Sequence, residues 1–106
     1  MILQLAEAAQ ATLGAQVAVR GAHMECASPS LDEAIAACVG LGAQSVLVQP
    51  VFLVPGRHAT VDIPAMIARA ADMYPTVCFT MGEVIGADPL LVRLVSQRFG
   101  RWHDGG

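Results

Sequence analysis

The chain reads as an α/β domain, a small parallel sheet layered by helices. Two observations predict it. Helix-period segments alternate with short apolar runs in the order α-β-α-β-α-β-α, and each run is closed by Gly, Pro or an acidic turn. The 106 residues fit a single domain, 1–106, with no repeat and no linker.

The elements follow in order. Ile2, Ala6, Ala9 and Leu13 form one helical stripe, with Gly14 just beyond its end. Residues 16–22 read as a strand with Val17 and Val19 on one face, and Arg20 on the other face suggests a sheet edge. A second helix begins at Ser28-Pro29 or at Ser30, where Ser30 and Glu33 can form a capping box. It runs to about Val39 and stops at Gly40-Leu41-Gly42. Residues 45–49 are a strand expected to be covered on both faces, closed by Pro50, which cannot donate to a ladder. The loop Phe52 to His58 leads into a helix through about Met73, with Asp62 and Pro64 near its start. Residues 76–81 form the last strand. A final helix opens at Asp88-Pro89, turns Leu91, Leu94 and Val95 inward and ends at Gly100, leaving 101–106 as a flexible tail.

Composition narrows the function. Hydrophobic residues make up 55% and charged residues 14%, so a domain this small is expected to hide apolar surface in a dimer. Net charge is −3, and the only strong bases are six dispersed arginines, which argues against nucleic acid as a partner. No apolar run approaches the roughly 20 residues that span a bilayer, and Met1 to Glu7 lacks the basic flank of a signal peptide. Cys26, Cys38 and Cys78 are odd in number and lack CxxC spacing. They point to a reducing cytoplasm, with Cys38 and Cys78 as buried thiols.

Ligands of open α/β sheets bind beyond the carboxyl ends of the strands. Here those ends run into His23, Met24, Glu25 and Cys26, then into Arg57 and His58, then into Gly82, Glu83, Val84 and Ile85. Imidazole with carboxylate suits first-row metals, and the same groups exchange protons near neutral pH. Each residue also has a plain alternative. His58 can be a polar loop residue, Glu25 a solvated acid, His23 an edge side chain, Arg57 an ion-pair partner and Glu83 an exposed turn residue, which is the reading kept for it. Nucleotide chemistry has no support, since there is no GxGxxG, no Walker loop and no GxSxG elbow.

Three blocks in register carry a family resemblance. They are Ala22-His23-Met24-Glu25 with Pro29-Ser30-Leu31, then Val51 to His58 followed by Asp62-Ile63-Pro64, then Val84-Ile85-Gly86-Ala87-Asp88-Pro89. Over about residues 15–100 the chain resembles the CbiX-type sirohydrochlorin chelatases. These class II chelatases insert cobalt or iron into a tetrapyrrole without nucleotide hydrolysis. The resemblance implies a chelatase-like three-layer sandwich, with Co2+ or Fe2+ as substrate and sirohydrochlorin or a related tetrapyrrole as partner. It implies His58 as metal ligand and proton acceptor and Glu25 as a second catalytic and metal-steering residue. Phe52, Leu53 and Val54 would cover the macrocycle face, and Arg57 would meet a peripheral carboxylate. His23 stands where the family has an aromatic and is a further candidate metal ligand.

The chain also departs from the family, whose first strand ends in Gly-His-Gly-Ser and lies inside the sheet. This sequence begins at the helix after that strand. The backbone groups beside the gap need partners. The flanking strands pair directly, a neighbouring chain fills the gap, or the natural chain extends upstream, which is the expectation here. A non-catalytic tetrapyrrole- or metal-binding subunit, or a plain oligomerising domain, remain the rival readings.

Overall fold

Ser30 sets where the second helix begins. In the computed structural model, which describes residues 1–24, 27–53, 56–86 and 88–105, its hydroxyl accepts the Glu33 N–H at 3.2 Å. The Glu33 carboxylate accepts the Ser30 N–H at 3.2 Å in return. This capping box opens α2 (Leu31–Gly40), and Ser28 adds a hydroxyl donated to Glu33 at 3.1 Å. The Ser30 backbone donor, then the Ser28 and Ser30 hydroxyls, hold the Glu33 carboxyl below its ordinary range. A lowered folded-state pKa contributes stability above the unfolded value, and that contribution is lost as pH falls through the folded one. Glu33→Gln is therefore expected to flatten the acid limb of the urea-midpoint profile below about pH 4.5, relative to wild type. Parallel profiles for the two proteins would contradict this.

The remaining elements are α1 (Ile2–Leu13), β1 (Ser45–Val48), a π-helical turn His58–Asp62, α3 (Ile63–Met73), β2 (Cys78–Met81) and α4 (Pro89–Gly105). β1 and β2 pair in parallel, Val46 opposite Phe79 and Val48 opposite Met81. The ladder is prolonged at both ends, by Cys78 N–H to the Gln44 carbonyl at 2.9 Å and by Gly82 N–H to the Val48 carbonyl at 2.8 Å. Strand alternation sends Val46, Val48, Phe79 and Met81 to one face. That face meets Leu31 and Ile35 of α2 and Ile63 and Ala70 of α3, which with Val48 form the buried core.

The α/β order and the parallel sheet follow the sequence; several particulars do not. Residues 16–22 form no strand. The Gln10 side chain takes the place of a neighbouring strand, donating to the Val17 carbonyl at 2.6 Å and accepting the Val19 N–H at 2.7 Å. Only His23 is bridged in β fashion, to Ser30. Direct pairing of 16–22 with β1 is thus not adopted, and the described sheet has the order β1-β2.

β1 is covered on one face, not two, because Ser45, Leu47, Cys78 and Thr80 all point to an exposed side. Cys78 is accordingly exposed and Cys38 half-buried, so neither is a buried thiol. The last helix does not end at Gly100 but continues to Gly105, since nothing in Arg101-Trp102-His103-Asp104 breaks it. It buries none of its residues, so Leu91, Leu94 and Val95 do not enter the core. α1 likewise buries none. The radius of gyration, 16.1 Å, exceeds the roughly 13 Å of a compact chain this long, as two loosely packed helices require.

Candidate functional site

Two loops leave the carboxyl ends of β1 and β2 and are tied to each other. The Gln49 amide donates to the Pro50 carbonyl at 2.9 Å and across the rim to the Glu83 carbonyl at 2.6 Å. A Cβ on residue 82 would collide with the Gln49 amide oxygen, so Gly82 is what lets the side chain cross. Further out, Gly86 N–H reaches the Phe52 carbonyl at 3.3 Å. Gly86 sits at φ 46°, a left-handed conformation that glycine adopts without strain. The Glu83 side chain is exposed to solvent.

The first of these loops builds an open groove of about 450 Å³ lined by Val51, Phe52, Leu53, Gly56, Arg57 and His58. Phe52, Leu53, Arg57 and His58, expected from the sequence to act together, therefore border one concavity. Phe52 is half-buried and packs on the core, with its ring centroid 6.2 Å from that of His58. Leu53 is 66% exposed and Arg57 is exposed, so both are available to a molecule lying on the groove.

His58 is placed by the backbone that follows it. Pro64 has no N–H for the Thr60 carbonyl, and its ring crowds that carbonyl. The chain enters α3 through the wider π turn, with Ile63 N–H returning to the His58 carbonyl. His58 and Asp62, four residues apart, face each other, and His58 Nδ1 lies 2.9 Å from Asp62 Oδ2. Asp62 stands at the start of α3, yet its side chain caps no backbone donor there. With side chains 39% and 36% exposed, the pair is screened by solvent and adds little to stability.

Glu25 and Cys26 lie outside the described residues, as do Val54, Pro55, Ala87 and Gly106, so the expected meeting of Glu25 with His58 has no geometry to set beside it. His23 is half-buried, its Nδ1 3.3 Å from the Pro29 carbonyl and its N–H bonded to the same oxygen at 2.8 Å. Among the described residues no three His, Cys, Asp or Glu side chains converge on a common metal position. No helix of the described residues is long and apolar enough to cross a membrane.

Two further residues shape the rim, Gln49 and Asp62. The local pattern makes Gln49 a strand end and Asp62 part of a helix start. Asp62 had a readable signal, since residues four apart share a helical face. Gln49 had none, because its partner is 34 positions away.

A family model described as CbiX matches residues 1–101. The chain is 41% identical over 80 residues to a chloroplastic sirohydrochlorin ferrochelatase of Arabidopsis thaliana, covering 76% of this chain and 36% of that protein. The crystal structure of a CbiX protein from Marinobacter aquaeolei VT8 superposes with a TM-score of 0.79 at 32% identity, covering 97% of this chain and 82% of the other. The sirohydrochlorin chelatase SirB from Bacillus subtilis subspecies spizizenii, solved in complex with cobalt, superposes at 0.73 with 33% identity, covering 92% and 44%. The chain spans about a third of the length of several curated relatives.

Proposed function

The chain belongs to the CbiX family, and on that premise we propose that it inserts a divalent metal, cobalt or iron, into sirohydrochlorin. The observation that carries the reading is the position of His58, an imidazole at the edge of an apolar groove beyond a strand's carboxyl end. Relatives named as ferrochelatases and cobaltochelatases support both metals as substrates.

The reaction exchanges one M2+ for two pyrrole protons. A macrocycle lying on Phe52 and Leu53 would set its face toward His58, and the exposed Arg57 guanidinium would pair with a peripheral carboxylate. His58 would hold the incoming cation or accept a departing proton, in turn and not at once. Glu25 would share the metal and the second proton, and His23 is a further candidate ligand.

The exposed apolar residues of α1 and α4, such as Leu3, Leu13, Val95, Phe99 and Trp102, support a homodimer. The odd cysteine count supports a cytoplasmic location.

The test is a spectrophotometric assay of Co2+ and Fe2+ insertion into sirohydrochlorin under anaerobic conditions, with light scattering for the mass in solution. Turnover above the uncatalysed rate, from a particle twice the 11.1 kDa chain, is the expected result. A second reading is a non-catalytic subunit that binds tetrapyrrole or metal. Spectral binding of sirohydrochlorin without turnover would select it.

A further inference from the structure

We infer that Asp62 is a positioning residue, one that fixes which nitrogen of His58 carries the proton and so which one meets the metal. The inference rests on the proposed role of His58 and deepens it. An ionised carboxylate only accepts hydrogen bonds. At 2.9 Å from Asp62 Oδ2, His58 Nδ1 must therefore be the donor. In the neutral ring the lone pair then belongs to Nε2, the atom that a metal or a pyrrole proton requires.

Three features show that the contact is specific. Asp62 occupies a position where an aspartate ordinarily caps the following helix, yet its carboxylate caps nothing there and reaches back to the imidazole. The π turn forced ahead of Pro64 brings residues 58 and 62 into register. The Phe52 ring, its centroid 6.2 Å away and tilted by 34°, packs beside the imidazole and lines the same groove. Carboxylates that orient a metal-binding histidine in this way typically change metal affinity by about 10–100-fold when removed. The pair itself is too exposed to be explained by stability.

Asn in place of Asp62 keeps the shape but offers an amide that either accepts from Nδ1–H or donates to a bare Nδ1, so the tautomer preference is lost. The experiment is 15N–1H correlation of the His58 ring in the metal-free protein, at a pH where the imidazole is neutral, with Co2+ titration of the same samples. Wild type is expected to show Nδ1–H. Asp62→Asn is expected to populate Nε2–H and to bind Co2+ about tenfold or more weakly, while Asp62→Glu, which retains the acceptor, recovers most of the affinity. Unchanged His23 and His103 ring signals would show that the fold is kept. Were Asp62→Asn to unfold, the wild-type and Asp62→Glu tautomers would still decide.

A wild-type ring protonated on Nε2, or an Asp62→Asn variant with unaltered tautomer and affinity, overturns the inference. Cobalt binding that is unaffected by His58→Ala overturns the metal-site reading instead.

Discussion

His58→Ala is expected to lower Co2+ affinity, and metal insertion with it, by about tenfold or more while leaving thermal stability nearly unchanged. The two halves of this expectation have different causes. The affinity falls because, on the proposed reading, the metal is held by the His58 imidazole, which borders the groove beside Phe52 and Leu53. The stability holds because the side chain is 39% exposed, and its partner Asp62 becomes a solvated carboxylate once the ring is gone. Surface changes of this kind usually stay within about 0.5 kcal/mol. Isothermal titration with cobalt and a urea melt on the same preparation check both. A variant that unfolds while retaining wild-type affinity in its folded fraction would show that His58 serves packing and not chemistry.

Ile63→Ala should do the reverse and strike stability hardest. Ile63 is 2% exposed, the most buried core side chain among the described residues, and it sits where the π turn hands over to α3. Truncating a buried Ile to Ala costs about 2–5 kcal/mol, lost transfer free energy plus the cavity left behind. A domain stable by roughly 5–15 kcal/mol gives up a large share of that, and the melting temperature should drop by about 8 °C or more. With Val48, Leu31 and Ile35 packed around it, the site cannot close over the void without moving the sheet or α2. A loss below about 1 kcal/mol would mean that the core is not centred on Ile63.

What could be read from the sequence was local. The Ser30–Glu33 box, the Gly14 and Gly40-Leu41-Gly42 stops and the apolar runs at β1 and β2 each carry their signal within a few residues. Arg57 and His58 are readable for the same reason, since they follow a strand end along a single loop, whereas Phe52 and Leu53 enter only through the family resemblance.

The misread features depend on partners that the local residue pattern does not name. Val17 and Val19 alternate as strand residues do, but a strand also needs a neighbour, and here the Gln10 amide meets their backbone instead. β1 reads as doubly buried because Val46, Leu47 and Val48 are all apolar, whereas Leu47 is 63% exposed. The stripe of α4 is real, yet nothing in its own spacing says what should cover it. Asp62 has two competing local roles, helix cap and imidazole partner. Only the wider turn before Pro64 decides between them.

In crystals of the chain soaked with Co2+, anomalous scattering at the cobalt edge locates the bound metal. A single strong peak is expected at the groove edge about 2.1 Å from His58 Nε2, with Nδ1 still held by Asp62. Cobalt bound elsewhere, with the His58 ring outside its coordination sphere, would contradict His58 as the metal ligand.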